Sequence, residues 1–385
     1  MKILHTSDWH LGHTLYGYDR REEQRAMLSQ IAEIVREERP DLLLVSGDVF
    51  DVAQPPAWAQ TMLVEALMEI HRAYPEITVV VTAGNHDSGT RHEIFRKPMH
   101  TLGIHLVGVL SREDSGDGHI VELPGKGFVV AVPYVHERNM PEGFIDELMA
   151  QVERRNAEGL PVVISAHTTV IGADFTGHTF VGERYVGGID GVKVERFGTG
   201  YDYLALGHIH RPQFVHTGRH NVRYSGTPLA VSFDEAFPHT VSIVEIGAHG
   251  ERPNVRERNI ENPWPLETLP ADGAVGWDEA KKLFENFPGK RKAYIRLNVE
   301  VEDFLPAGAS AEAARIAEGK ECRFCLINPV RKRTAAYEEK KLTVKEFKDL
   351  DPVEVARRYI NESGGVFEGE LEELFRIAMQ SEAPR

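Results

Sequence analysis

The first two thirds of the chain alternate short apolar runs with longer amphipathic stretches. Short apolar or β-branched runs are typical of buried strands, and apolar positions spaced three and four apart are typical of helices. The alternation predicts an α/β fold. The predicted helices are Arg20 to Glu38 and Ala57 to Ala73, and the predicted strands are Lys2 to Ser7, Leu42 to Ser46, Thr78 to Thr82, Val162 to Ala166, Tyr203 to Leu206 and Thr240 to Ile246.

The pattern changes after the proline-containing segment Glu261 to Pro265. A helix from Asp278 to Asn286 and a strand from Ala293 to Val301 then predict a small α+β unit. Two short helical segments close the chain, and their apolar stripes include Val355 and Tyr359 in the first, and Leu371, Leu374 and Phe375 in the second. We therefore predict four parts, namely a main domain at 1–260, a small domain at 268–330, a basic linker at 331–342 and a helical element at 343–380.

Polar clusters follow five of the apolar runs. In an extended chain, residues two apart project from the same face, so Asp8 with His10, and His208 with His210, can each converge. Open α/β sheets place ligand sites at the carboxyl ends of their strands. We expect the clusters to share one edge of one sheet. They are Asp8-Trp9-His10, Gly47-Asp48, Gly84-Asn85-His86-Asp87, His167, and Gly207-His208-Ile209-His210.

The donors in these clusters are carboxylates, imidazoles and an amide, which suit manganese, iron or zinc better than calcium or magnesium. We expect two divalent ions, with manganese as the first choice. Two ions about 3.5 to 4 Å apart can clamp a phosphate and activate a water molecule. Asp48 is the natural bridge, because a carboxylate has one oxygen for each ion. The alternative is a set of five unrelated turn and cap sequences.

Longer strings around these clusters resemble the calcineurin-like metallophosphoesterases and, among them, the SbcD family of nuclease subunits from bacterial DNA repair complexes. The resemblance extends along most of the chain and is strongest up to about Ile246. The strings are LHTSDWHLG (residues 4–12), GDVFD (47–51), GNHDS (84–88), DYLALGHIHRPQ (202–213) and YSGTPLAVSFDEA (224–236).

The resemblance implies a β-sandwich flanked by helices, with a small α+β capping domain and a C-terminal helix pair. It assigns Asp8, His10, Asp48 and His210 to the first metal, and Asp48, Asn85, His167 and His208 to the second. His86 would stabilise the developing charge or protonate the leaving oxygen, with Asp87 orienting its ring. A third metal ligand or a structural hydrogen bond is the alternative for His86.

The same resemblance implies DNA as substrate, an SbcC-like coiled-coil ATPase that binds the C-terminal helices, and a homodimer. The chain has no Gly-x-x-x-x-Gly-Lys-[Ser/Thr] phosphate loop, so ATP dependence must come from a partner. For the dimer surface we single out Met62, Leu63 and Leu67, with core packing as the alternative. The C-terminal helices could instead pack on the chain's own capping domain.

Composition is that of a large globular protein, with 385 residues and 42% hydrophobic content. No run of 18 apolar residues and no signal segment occurs, which predicts a cytoplasmic protein without a membrane partner. The net charge of -15 argues against a nucleic-acid partner. For contact with phosphates, however, local clusters of basic residues matter more than the net charge. Lys320 to Lys341 holds seven basic and three acidic residues, either as a solvated linker or as a contact for DNA or a partner.

The two cysteines, Cys322 and Cys325, form a CxxC pair. If Glu321 to Ile327 is a strand, residues three apart point to opposite faces, which disfavours a shared zinc ion. We expect two reduced thiols.

Three functional classes remain open at this point. They are a manganese-dependent DNA nuclease, a stand-alone phosphodiesterase or phosphatase on a small phosphorylated substrate, and a non-catalytic scaffold.

Overall fold

The computed structural model describes residues 1–110, 118–177, 191–216 and 218–331, with six residues beyond, Val353, Arg357, Phe367, Gly369, Glu372 and Phe375. The helices of the continuous ranges are α1 (Arg21–Glu38), α2 (Ala57–Ala73), α3 (Gly89–His100), α4 (Phe144–Arg155), α5 (Trp277–Glu285) and α6 (Ala309–Ala317). The strands are β1 (Lys2–Thr6), β2 (Thr14–Leu15), β3 (Tyr18–Asp19), β4 (Leu42–Ser46), β5 (Thr78–Thr82), β6 (Ile104–Val107), β7 (Ile120–Leu123), β8 (Gly127–Val132), β9 (Val162–His167), β10 (Tyr203–Gly207), β11 (Gln213–Phe214), β12 (Val222–Tyr224), β13 (Thr240–Glu245), β14 (Asn254–Asn259), β15 (Leu266–Leu269), β16 (Tyr294–Val301) and β17 (Arg323–Arg331).

Two six-stranded sheets form the main part of the molecule. Their strand orders are β14-β13-β1-β4-β5-β6 and β11-β12-β10-β9-β8-β7. Ile3 and Val80 from the first sheet and Val163 and Tyr203 from the second belong to one buried cluster, so the sheets pack face to face. The predicted β-sandwich is confirmed. The expectation of a single sheet is wrong, because β9 and β10 lie in the second sheet.

Helices cover the outer faces of the sandwich, which is why its central strands are apolar on both faces. Helices α1 and α2 pack on the first sheet, and α4 packs on the second. Met62, Leu63 and Leu67 of α2 are at most 6% exposed and belong to the core beside the first sheet. The argument for a dimer surface at these residues is therefore wrong, because the side chains are already covered by the chain itself.

A polar contact joins the two sheets close to the ends of their strands. His5 Nδ1 lies 3.0 Å from the Tyr203 hydroxyl, and His5 Nε2 lies 3.2 Å from Ser46 Oγ. Burial, helped by the charge of Arg223, lowers the pKa of His5 to about 3, so the ring stays neutral. His5 is thus a hydrogen-bonded core histidine.

The small α+β part consists of the sheet β15-β16-β17 with α5 and α6. Its contact with the main sandwich is partly polar and aromatic: the Tyr294 hydroxyl donates to Glu23, and the Arg323 guanidinium donates to Tyr294 and lies 3.7 Å from the Trp264 ring centre. Residues 1–330 form one compact unit. Two residues of the basic stretch therefore have structural contacts. Arg323 donates to Tyr294, and Lys320 donates to three main-chain carbonyls.

The second compact unit spans residues 331–385. Within it, the rings of Phe367 and Phe375 meet edge to face at 5.7 Å, and Arg357 donates to Glu372 at 2.9 Å. Phe375 therefore takes part in packing inside this unit. Some predicted features lie outside the described residues. They are positions 332–342 of the basic linker and the predicted partner-binding residues Val355, Tyr359, Leu371 and Leu374.

Cys322 and Cys325 are both free thiols, as predicted. Cys322 packs with the core of the small domain, whereas Cys325 packs with the cluster around Trp264. Burial raises the pKa of both thiols, that of Cys325 to about 12, which keeps them in the unreactive protonated form. Separately, none of the helices in the described part of the chain is long and apolar enough to cross a bilayer.

Candidate metal centre

The first group of predicted ligands comes from both sheets. Asp8 and His10 follow β1, and His210 follows β10. Their donor atoms lie within 4.8 Å of one another, and His10 Nε2 lies 3.2 Å from His210 Nε2. All three residues are buried. The structure therefore brings together three of the four ligands predicted for the first ion.

The second group contains Asp48, Asn85, His167 and His208. Asn85 Oδ1 lies 2.9 Å from His167 Nε2 and 3.0 Å from His208 Nδ1. His167 Nε2 is also 3.3 Å from Asp48 Oδ2. All four ligands predicted for the second ion therefore meet at one place, and Asp48, the predicted bridge, is a member of this group.

The backbone at these residues is unusual. Asp8, His10, Asp48 and His208 all have positive φ, at 54°, 45°, 48° and 101°. This conformation is costly for residues other than glycine and is concentrated at functional sites. Asp8 and His10 thus converge through a left-handed loop after the end of β1, and not through the extended alternation that we predicted.

Two glycines allow the close approach of the ligands. A Cβ atom at Gly47, where φ is +87°, would lie 2.2 Å from His167 Nδ1, and one at Gly84 would lie 2.1 Å from Asp48 Oδ1. Neither distance is compatible with a side chain. Glycine therefore precedes Asp48 and Asn85 for a steric reason, since the neighbouring ligands His167 and Asp48 occupy the space that a side chain would need.

Electrostatics in the two groups are dominated by buried carboxylates. Burial lowers the pKa of His10, but the neighbouring carboxylates of Asp51, Asp48 and Asp8 outweigh it and raise the pKa to about 9. Burial also lowers the pKa of His167, but the charge of Asp48 outweighs burial and raises this pKa to about 9. The charge of Asp48 thus acts on one imidazole of each group, as expected of a carboxylate between them.

The donor set fits divalent metal ions. His167 Nδ1 donates to the Ser46 carbonyl at 2.9 Å, and His210 Nδ1 donates to Glu235 at 2.7 Å, so the Nε2 atom of each ring is left for the ligand group. Metal-binding histidines are usually held in this way by their second nitrogen. In addition, the buried Nδ1 of His10 has no hydrogen-bond partner and lies 3.6 Å from Asp51 Oδ1. Buried polar atoms are normally satisfied, and a cation held by His10 and Asp51 would satisfy this nitrogen.

The His86 ring lies against the His10 ring of the first group, with 5.1 Å between ring centres. Its predicted contact with the Asp87 side chain is not made. The His86 ring donates from Nδ1 to the main-chain carbonyl of Asp51 at 2.7 Å. The Asp87 carboxylate instead accepts from the main-chain N–H groups of Val49, Phe50 and Gly84. Asp51 therefore orients the His86 ring, while Asp87 ties the loop after β4 to the loop after β5.

Two residues of the site were missed by the sequence reasoning. Asp51 lies with His10 and His86 in a third group of potential ligand atoms, and Glu235 holds His210. Both residues stand in the strings that carry the family resemblance, GDVFD and YSGTPLAVSFDEA. Those strings were the signal that could have identified them, since local periodicity does not.

Comparison with known proteins agrees with this geometry. The calcineurin-like phosphoesterase family matches residues 1–212. The SbcD subunit of the SbcCD nuclease from Rhodobacter capsulatus is 36% identical over 303 residues, which cover 71% of this chain and 73% of that protein. The Bacillus subtilis SbcD subunit is 33% identical over 330 residues, covering 79% and 80%, and that of Escherichia coli K12 is 29% identical over 303 residues, covering 71% of each. The chain therefore belongs to the calcineurin-like phosphoesterase family and, within it, to the SbcD family.

Proposed function

We propose that this chain is the metal-dependent nuclease subunit of an SbcCD-type complex and hydrolyses phosphodiester bonds in DNA. The observation that carries the proposal is the convergence of all seven predicted ligands, from five separate places in the sequence, into two adjoining groups. The nuclease activity is that of the similar subunits named above.

The residues present define how the centre would work. Asp8, His10 and His210 would hold one ion, Asn85, His167 and His208 the other, and Asp48 would bridge them. Manganese is our proposed metal. When bound, two such ions neutralise phosphate charge and lower the pKa of an attacking water.

The protein's own groups supply positioning and a proton. Because His86 Nδ1 donates to the Asp51 carbonyl, Nε2 is the ring atom left to face the substrate. His86 also donates its main-chain N–H to Asp48 at 2.9 Å, so its position is tied to that of the bridge. We propose that His86 Nε2 delivers a proton to the leaving sugar oxygen, and that Asp87 keeps the two ligand-bearing loops in register.

The partner proposals concern the C-terminal unit and the assembly. We propose that the predicted helices within 343–380 bind a coiled-coil ATPase, which would supply the ATP dependence of duplex-end cleavage, while cleavage of single strands needs no ATP. The division into parts at 1–260, 268–330, 331–342 and 343–380 stays a prediction, as does a homodimer, which light scattering would test. A cytoplasmic location is likewise a prediction, and cell fractionation would test it.

The decisive experiment measures cleavage by the purified full-length chain with manganese, on hairpin and single-stranded DNA and on cyclic nucleotides. We expect cleavage of both DNA substrates, little activity on cyclic nucleotides, and two manganese ions per chain. Strong activity on cyclic nucleotides with none on DNA would support a stand-alone phosphodiesterase instead. A metal-free, inactive chain would indicate a scaffold.

A further inference from the structure

The segment between β12 and β13 encloses two of the ligands. Thr227 Oγ1 donates to the main-chain carbonyl of Asp8 at 2.8 Å, and the Thr227 main-chain N–H donates to the carbonyl of His210 at 2.9 Å. Ser225 Oγ lies 2.8 Å from Ser7 Oγ, which itself donates to Asp8. This segment therefore braces the first ligand group from outside.

Glu235 is the one carboxylate that this segment brings onto a ligand side chain. Its side chain is 1% exposed, and Oε1 accepts from His210 Nδ1 at 2.7 Å while Oε2 accepts from the Val231 main-chain N–H at 3.0 Å. Burying a carboxylate is costly unless hydrogen bonds compensate for the lost water. Here, one of those hydrogen bonds goes to the ring that reaches His10.

The contact determines which ring nitrogen of His210 carries the hydrogen. A carboxylate only accepts, so the hydrogen lies on Nδ1, and the lone pair lies on Nε2. Nε2 is the atom 3.2 Å from His10 Nε2. The other tautomer would place a hydrogen where the ion is expected and would remove the hydrogen bond from His210 to Glu235 Oε1.

We propose that Glu235 is a positioning residue for the nuclease reaction, which holds the His210 ring in the Nδ1–H tautomer and aims Nε2 at the first metal ion. The proposal rests on the proposed function, because it takes His210 as a ligand. It adds a residue outside the predicted ligand set, since Glu235 supports the metal without touching it.

The first test needs no variant. In the metal-free, full-length protein labelled with ¹⁵N-histidine, the ring shifts of His210, assigned with His210→Asn, should show the hydrogen on Nδ1. A hydrogen on Nε2 would overturn the proposal whether or not any variant folds.

The second test titrates manganese into Glu235→Gln by calorimetry. The amide keeps the size of the side chain but can donate as well as accept, so it no longer enforces one tautomer. We expect one of the two ions to bind about 10- to 100-fold more weakly, which is the usual effect of losing such a supporting contact, and the other ion to bind as in the wild type. Unchanged binding of both ions would overturn the proposal.

Two control variants separate positioning from general loosening. Glu245→Gln makes the same chemical change at an exposed position of β13. Asp234→Asn changes the neighbouring residue, which contacts Arg296 at 2.7 Å and not His210. Both control variants should bind two ions with normal affinity. If Asp234→Asn weakened manganese binding as much as Glu235→Gln, the positioning role of Glu235 would be contradicted. If the wild type itself bound no metal or cleaved no DNA, the proposed function would fail, whereas a normal wild type with an unaffected Glu235→Gln would remove only this inference.

Discussion

His10 Nε2 and His210 Nε2 lie 3.2 Å apart, although the two residues are separated by 200 positions in the chain. Two ring nitrogens with lone pairs would repel each other at this distance, so a proton or a metal ion must lie between them. The pKa of His10 is raised to about 9, whereas burial lowers that of His210 to about 3. In the metal-free protein, the proton therefore resides on His10.

This relationship predicts a pH-dependent metal affinity. His10 and His167 both have a pKa of about 9 in the metal-free state, so below that pH each ion must displace a proton. Apparent manganese affinity should rise by about tenfold per pH unit for each displaced proton between pH 6.5 and 9, and then level off. Calorimetry at pH 7.5 in buffers of different ionisation enthalpy should show proton release. Manganese binding that is independent of pH and buffer would contradict the raised pKa values of His10 and His167.

Asp48→Asn should abolish hydrolysis and weaken the binding of at least one ion. The amide removes both the negative charge and one of the two oxygen atoms that a bridge requires. Metal content by mass spectrometry and cleavage of hairpin DNA are the measurements. Asp272→Asn, at an exposed position, is the matched control and should behave as the wild type. A fully active Asp48→Asn protein would exclude the bridging role.

His86→Ala should keep both ions and DNA binding while losing rate. General acid catalysis and charge stabilisation are worth roughly 10² to 10⁴-fold, so the fall in kcat should lie in that range with little change in KM. His220→Ala, at an exposed position, serves as the control. Loss of a metal ion from His86→Ala would identify His86 as a ligand instead.

Tyr294→Phe should destabilise the protein by about 1 to 3 kcal/mol, because it removes the hydroxyl that donates to the buried carboxylate of Glu23 and leaves that oxygen with the longer contact from Arg323 at 3.3 Å. Denaturant unfolding would measure the loss. Tyr74→Phe removes a hydroxyl that contacts Glu76 at an exposed place and should cost much less. Equal effects of the two changes would mean that the contact between the sandwich and the small domain contributes no more than a surface hydrogen bond.

Truncation after Lys341 should leave a folded nuclease that binds two ions and cleaves single strands, because every predicted ligand lies in residues 1–330, which form a compact unit. ATP-stimulated cleavage of duplex ends and binding to the ATPase should both be lost. A chain ending after Gln380 is the control. Truncation is a cleaner test than a charged substitution at Phe375, whose contact with Phe367 helps to pack the unit itself. If the truncated chain still bound the ATPase in a pull-down, the predicted helices within 343–380 would not be the binding element.

Much of the secondary structure follows from local pattern. Three predicted elements agree with the structure residue for residue, namely Leu42–Ser46, Ala57–Ala73 and Thr78–Thr82. The bounds of the other predicted elements in residues 1–330 differ from the observed bounds by a residue or two. The exception is the last strand, which extends from Arg323 to Arg331. The periodicity that identifies these elements depends only on neighbours in the chain. The seven ligands were also accessible from sequence, because each stands at or just after the end of a strand in a short polar cluster.

Only the tertiary structure decided how those clusters meet. The periodicity of β9 and β10 could not show that they belong to a second sheet, since strand pairing is a long-range property. It could not show that Met62 is covered, because its exposure depends on what packs against α2. The roles of Asp51, Asp87 and Glu235 were decided in the same way, by loops that are remote in the chain and adjacent in space. The sequence by itself thus determined the elements and the donor atoms, and packing decided which residues hold those donors in place.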